Sequence, residues 1–116
     1  MLSRRVQRVN DDLRRKMTAI ADAVARRRYR YTVHGAQQRI ARTLTGPEVE
    51  QALLGGEIVE DYPQHHLGPA YLILGWTAEG KALHVVCSVR HVVDIITIYQ
   101  PDLAEWETDL RTRMSK

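Results

Sequence analysis

Four strand-length segments joined by short connections constrain the fold of this chain more than any other feature. They cover residues 57–61, 70–76, 82–90 and 93–99, and are rich in β-branched, aliphatic or aromatic side chains. The connection at 77–81 is short enough for a hairpin. Because consecutive strands with short connections pair antiparallel, the sequence predicts a four-stranded, mostly antiparallel sheet.

Residues 2–27 have the pattern of a long amphipathic helix, with apolar residues recurring at spacings of three and four. These residues are Leu2, Val6, Val9, Leu13, Met17, Ile20 and Val24. The stripe must be covered by this domain, by a second copy of the chain or by another protein. Core packing or dimerisation is favoured over a membrane-surface helix, whose apolar face usually carries bulkier aromatic groups.

Two segments link this helix to the strands. Residues 29–33 have the composition of a short strand or an extended lead-in. The pattern is helical over residues 34–44, with Ala36, Ile40 and Leu44 four apart on the expected buried side.

Capping residues mark another helix. Thr45 and Glu48 have capping-box spacing and begin a helix that runs to Leu54 and ends at Gly55. After Pro101 the sequence predicts a last helical stretch that folds back on the sheet through three apolar residues. These are Leu103, Trp106 and Leu110.

The expected architecture is therefore α+β, with amino-terminal helices packed on the four-stranded sheet and a long helical extension before them. We divide the chain into a basic amino-terminal helix, residues 1–28, and an α+β domain, residues 29–116. A length of 116 residues suits one modest core.

Composition excludes several classes of protein. Cys87 is the only cysteine, so neither an internal disulfide nor a multi-thiolate zinc site can form. The first residues lack an apolar stretch of signal-peptide length, and the longest apolar runs are strand-sized. We therefore expect a cytoplasmic protein without a membrane segment.

Charge is distributed unevenly along the chain. Residues 1–45 carry 12 Lys/Arg against 3 acids, or +9, whereas residues 46–116 carry 5 against 11, or −6. Such a basic half suggests an anionic partner. Because Tyr side chains alternate with Arg after the first helix, nucleic acid is a candidate, and the candidate RNA-binding residues are Arg26, Arg27, Arg28, Arg30 and Tyr31.

Seven ordered motifs resemble the bacterial family called domain of unknown function 4258, whose members are similar to RelE-like toxins of the barnase/RelE ribonuclease superfamily. They are Thr32-Val33-His34, the arginine-bearing helix Gln38 to Arg42, the helix Thr45 to Leu54, the segment Glu57 to Tyr62, His84-Val85-Val86, Thr97 to Pro101, and Trp106. The resemblance covers about residues 29–107 and leaves the first helix outside. It implies a RelE/barnase-like fold and ribonuclease chemistry.

Metal-free RNA cleavage requires a base, an acid and fixed cations that hold the charge developing on phosphorus. The candidate catalytic residues are His34, His84, Arg39, Arg42, Thr97 and Tyr99. Either histidine is the proton-transfer group, the two arginines stabilise the phosphorane, and Thr97 and Tyr99 orient the RNA.

Strand alternation groups these side chains. One face of the first strand carries His84, Val86, Ser88 and Arg90, and one face of the next carries Ile95, Thr97 and Tyr99. Whether the two faces coincide depends on strand register, which the sequence leaves open.

Structural roles compete with catalytic ones. His34 could cap its helix, His84 could be a hydrogen-bonded core or edge histidine, and Tyr99 and Trp106 could pack first and touch substrate second. A metal site at His65 and His66, with His84 or His91, lacks ligand pairs at suitable spacing, so we expect neither a metal nor a cofactor. Cys87 is expected to be a buried small apolar residue.

The leading hypothesis is a metal-independent, toxin-type endoribonuclease that acts on RNA in the cytoplasm and is inhibited by a cognate antitoxin protein. The first helix could contribute to antitoxin binding or form a homodimer. The alternative is a non-catalytic nucleic-acid- or protein-binding module with the same fold. A third hypothesis is an oligomeric scaffold built on the first helix.

Overall fold

The computed structural model describes residues 3–115, in which three helices pack on a five-stranded mixed sheet. In chain order the elements are α1 (Arg4–Ala25), β1 (Tyr29–Tyr31), α2 (Val33–Ala41), α3 (Gly46–Leu54), β2 (Glu57–Tyr62), β3 (Ala70–Trp76), β4 (Ala82–Val89) and β5 (Val93–Tyr99). The strand order is β1-β5-β4-β3-β2. Strands β2 to β5 form the predicted antiparallel meander.

The predicted count of four strands is wrong, although the α+β class is confirmed. Strand β1 adds to the sheet edge by pairing parallel with β5, with Tyr29 opposite Val93 and Tyr31 opposite Ile95. A three-residue strand is too short to show alternation, and its partner lies more than 60 residues away in sequence. Only the tertiary structure therefore distinguishes this strand from an extended lead-in.

The sheet has two different faces. One face packs against α1 and α3 and contains the main core, including Tyr71, Ile73, Leu83, Val85 and Ile95. We call it the core face. The other carries Glu60, His84, Thr97 and Tyr99, and we call it the polar face.

Helix α1 is embedded in the domain only at its carboxyl half. Met17, Ile20 and Val24 are buried in the core, while Val6 and Val9 are 43% and 55% exposed. Leu2, the first residue of the predicted stripe, lies outside the described residues. Ser3 caps the helix by accepting a hydrogen bond from the Val6 amide.

Helix α2 is shorter than predicted and turns a different side inward. Ile40, expected on the buried side, is 68% exposed. The helix instead lays Gly35 on β5, where a Cβ would lie 2.2 Å from the Ile95 carbonyl oxygen. It ends at Ala41 because Thr43 adopts a left-handed conformation (φ 56°), and Leu44 then enters the core.

The boundaries of α3 follow the predicted capping signals. The hydroxyl of Thr45 accepts from the Glu48 amide, and the Glu48 carboxylate accepts from the Thr45 amide, which completes the capping box. The helix packs so closely on β3 that a Cβ at Gly75 would lie 1.9 Å from the Ala52 carbonyl oxygen.

The predicted carboxyl-terminal helix is wrong. Residues 101–115, the terminal segment, form turns and one isolated β-bridge between Trp106 and Arg113. Asp102 and Asp109 accept hydrogen bonds from backbone amides two residues ahead, and such local bonds compete with helix formation. Trp106 nevertheless folds back as expected and is 1% exposed, whereas Leu103 is 59% exposed.

Candidate functional site

Strand register brings three of the predicted catalytic residues onto the polar face. His84 lies opposite Tyr99, and Val86 lies opposite Thr97. A register shift follows Val86, so that Cys87 pairs with Ile95. Ile95 is therefore in the core, and its predicted placement on one face with Thr97 and Tyr99 is wrong.

His84 is completely buried and both of its ring nitrogens have partners. Its Nε2 lies 2.8 Å from the Leu110 carbonyl oxygen, and its Nδ1 lies 3.1 Å from the Tyr99 hydroxyl. Because a carbonyl oxygen can only accept, Nε2 carries the proton. In neutral His84 the Nδ1 lone pair then accepts the Tyr99 hydroxyl proton.

Burial determines the charge state of this pair. Desolvation lowers the pKa of His84, and the hydrogen bond to Leu110 and the charge of Glu60 only partly oppose this effect. Burial also raises the pKa of Tyr99, which remains partly exposed. At neutral pH the pair is therefore a phenol that donates to an uncharged imidazole.

The terminal segment forms the cover over His84. The Trp106 ring packs edge-on against the imidazole, with centroids 4.5 Å apart at 84°. Arg113 anchors the segment through a two-point ion pair with Glu60, at 2.8 and 2.9 Å, and its guanidinium lies 4.6 Å from the Trp106 ring centroid. His84 is thus isolated from solvent and is hydrogen-bonded to the partly exposed Tyr99.

Glu60, Tyr62 and Arg113 are components of this cluster that the sequence did not reveal as site residues. The Arg113 guanidinium holds the pKa of Glu60 below its ordinary value. Burial and the hydrogen bond to Glu60 raise the pKa of Tyr62 to about 12. Their grouping depends on the β2–β3 register and on the path of residues 101–115, and no local pattern encodes either.

Helix α2 lies along the part of β5 that extends past the end of β1. The Thr32 amide donates to the Ile95 carbonyl oxygen at 3.0 Å, and Arg42 Nε donates to the Ile98 carbonyl oxygen at 2.9 Å. The rest of the exposed Arg42 side chain makes no other hydrogen bond or ion pair within residues 3–115. His34, on the same helix, is exposed.

Arg39 occupies the opposite side of α2 from His34. Its Nη1 donates to the Leu44 carbonyl oxygen at 2.9 Å, and its guanidinium lies 5.4 Å from the ring centroid of Tyr31, which packs against the core. Gly35 faces β5, and successive residues of a helix are about 100° apart around its axis. His34 and Arg42 therefore lie toward the side of α2 that faces the polar face, and Arg39 lies on the other side, toward the core face.

The predicted RNA-binding residues lie at the end of α1 and on β1. Arg26 pairs with Asp22 at 3.1 Å, Arg27 approaches Glu50 at 4.0 Å and Arg30 pairs with Asp94, while Arg28 is exposed without an ion pair in the described chain. Burial raises the pKa of Tyr31, and its hydroxyl is buried without a hydrogen-bond partner among the described residues. The arginines form an exposed basic surface, but Tyr31 does not.

Other candidates do not assemble into sites. Within residues 3–115 no group of three or more His, Cys, Asp or Glu side chains is arranged to hold a metal, and His65 simply stacks on His66 with ring centroids 4.5 Å apart. Cys87 is fully buried in the core, as expected, and burial raises the pKa of its thiol. No helix in this part of the chain has the length and apolar character needed to cross a membrane.

Comparison with known proteins identifies the family. The model of the family described as "Domain of unknown function (DUF4258)" matches residues 31–100, more than half of the chain. The chain therefore belongs to this family, as the ordered motifs predicted. No curated protein and no solved structure matches it.

Proposed function

We propose that this DUF4258 protein is a metal-independent endoribonuclease of the toxin type, with the Tyr99–His84 pair and His34 as its proton-transfer groups. The observation that supports this most is the hydrogen bond from Tyr99 to a buried, neutral His84. This bond joins a buried base to a side chain that is partly exposed to solvent. We also propose that the fold is similar to that of RelE toxins.

The Tyr99–His84 pair acts as the base. The 2′-hydroxyl of bound RNA gives its proton to the Tyr99 oxygen as the phenol proton moves to His84 Nδ1, 3.1 Å away. The 2′-oxygen attacks phosphorus and forms a 2′,3′-cyclic phosphate. Because Leu110 accepts from Nε2, the lone pair of His84 is fixed toward Tyr99 and cannot be used elsewhere.

His34 acts as the acid. Its exposed imidazole is on the flank of α2 that faces the polar side of the sheet, and its protonated form gives a proton to the departing 5′-oxygen. His84 afterwards returns its proton through Tyr99, and His34 regains one from water. The products are a 2′,3′-cyclic phosphate and a 5′-hydroxyl.

Arg42 holds the phosphate. One N–H of its guanidinium is fixed on the β5 edge by the Ile98 carbonyl, which positions the others for the phosphorane oxygens. Thr97 contributes a hydroxyl on the same sheet face as Tyr99. Arg39 has a structural role in this proposal because it bonds Leu44 and covers Tyr31.

The basic surface supplies affinity for RNA. Arg28 has no ion-pair partner among residues 3–115. Arg26, Arg27 and Arg30 have acidic partners, but solvent screens these ion pairs, so RNA phosphates can compete for the arginines. In the proposed setting the enzyme acts in the cytoplasm and a cognate antitoxin inhibits it.

A non-catalytic binding module remains the second candidate, because His84 has both nitrogens satisfied and is covered by Trp106. Such an arrangement would also suit a purely structural histidine. In that case the basic surface alone would carry the function.

Incubation of the purified chain with single-stranded RNA separates the two candidates. We expect fragments ending in 2′,3′-cyclic phosphate, formed in the presence of a chelator and lost in His34→Ala and Arg42→Ala. An exposed alanine replacement away from the site, Gln64→Ala, is the matched control. Salt-dependent RNA binding without such fragments would establish the binding module instead.

A further inference from the structure

Helix α1 carries an apolar surface that the domain does not cover. Burial along its stripe decreases toward the amino end: Met17 is 9% exposed and packs in the core, Leu13 is partly buried, and Val9 and Val6 are largely exposed. The matched family region begins only at residue 31. The exposed part of α1 therefore lies outside the matched region.

The exposed stripe continues into a groove. The groove has a volume of about 610 Å³ and lies between α1 and the start of β2, with Leu13 and Met17 on one wall and Leu54 and Ile58 on the other. Leu54 is itself 48% exposed. We call the stripe from Val6 to Leu13, together with this groove, the α1 surface.

The α1 side of the α1 surface is positively charged, whereas the other side of the groove contains Glu57, which is paired with Arg111. Residues 4–16 contain six Lys/Arg and two Asp, or +4. The two carboxylates lie near Arg14 and Arg15 at 3.9 and 4.0 Å, whereas Arg4, Arg5 and Arg8 have no ion pair within residues 3–115. From the helical period, Arg5 and Arg14 lie about 90° to either side of the apolar stripe.

From this arrangement we propose that the α1 surface binds an acidic amphipathic helix of a partner protein, with apolar side chains in the groove and carboxylates against the flanking arginines. This proposal specifies the chemistry of the partner protein in the proposed function, and it depends on α1 and not on the catalytic residues. An acidic amphipathic helix complements both the apolar stripe and groove, through its apolar side chains, and the flanking arginines of α1, through its carboxylates.

Two other occupants fit less well. A second copy would place the net charge of +4 on its residues 4–16 against the same charge on the first copy. Val6, Val9 and the partly buried Leu13 offer little of the apolar area that stable dimers bury. RNA would be attracted by the arginines but would leave the groove walls at Leu54 and Ile58 unfilled.

Selection from displayed random peptides of about 16 residues, long enough for about four helical turns, tests the partner chemistry. Using the full chain as bait, we expect enriched peptides with excess Asp and Glu and with apolar residues three and four apart. These peptides should bind Val9→Asp at least about tenfold more weakly, and high salt should weaken them further. Leu103→Asp, an equally exposed apolar site elsewhere, should bind as wild type.

Val9→Asp should fold normally because Val9 is more than half exposed, and thermal unfolding checks this. The proposal is overturned if selected peptides lack acidic excess, bind Val9→Asp equally, or are not enriched at all. It is likewise overturned if light scattering shows a dimer that Val9→Asp dissociates, or if Val9→Asp abolishes RNA binding. None of these results depends on RNA cleavage, so the ribonuclease proposal and this one fail separately.

Discussion

Replacement of Trp106 by alanine should detach the terminal segment from the sheet. Trp106 is 1% exposed and packs on the His84 imidazole and under the Arg113 guanidinium. Truncation of a buried tryptophan removes about 3–5 kcal/mol of unfolding free energy through lost burial and the cavity left behind. For a domain of this size that corresponds to a fall in Tm of about 12–20 °C, at about 4 °C per kcal/mol.

Urea unfolding followed by far-ultraviolet circular dichroism measures this loss. Leu103→Ala is the matched control, since Leu103 lies in the same segment but is 59% exposed, and it should change the free energy by less than about 0.5 kcal/mol. If Trp106→Ala stays within about 1 kcal/mol of Leu103→Ala, the segment is not docked as described. The cover over His84 would then have to be abandoned.

Three further perturbations test other contacts. Glu60→Gln removes the two-point pair with Arg113 and should lower the unfolding free energy by about 1 kcal/mol, against less than about 0.5 kcal/mol for Glu57→Gln on the same strand, both read from urea titrations. Burial lowers the pKa of His84 from the ordinary histidine value of 6.5, so in mild acid the unfolded chain binds more protons than the folded chain. Acidification from neutral pH should therefore destabilise wild type more than His84→Gln. Equal losses in the two proteins would contradict the assigned charge state. Thr45→Ala should cost about 1 kcal/mol by removing the α3 cap, and an unchanged melting temperature would refute that role.

Periodicity and capping signals predicted the meander and α3 because these are local. The bounds of β3 and β5 match the apolar segments, and Thr45 and Glu48 form the expected capping box. The sequence did not predict the parallel pairing of β1, because three residues carry no pattern. The sequence also predicted a helix after Pro101, but residues 101–115 form turns instead. There Asp102 and Asp109 accept hydrogen bonds from nearby backbone amides.

The sequence named candidate site residues but did not predict how they are arranged. The side-chain types at His34, His84 and Tyr99 indicated proton transfer, yet which of them meet depends on register and on the side that α2 turns to β5. The close approach at Gly35 sets that side and turns Arg39 away from the polar face. Apolar spacing alone had assigned Ile40 to the interior, where it is not.

The proposed proton path through Tyr99 is tested most directly by single-turnover RNA cleavage with Tyr99→Phe. Phenylalanine keeps the ring beside His84 and removes only the hydroxyl that is hydrogen-bonded to His84 Nδ1. We expect cleavage to fall about 100-fold or more while RNA affinity stays within about twofold of wild type. Cleavage by Tyr99→Phe at the wild-type rate would contradict the account.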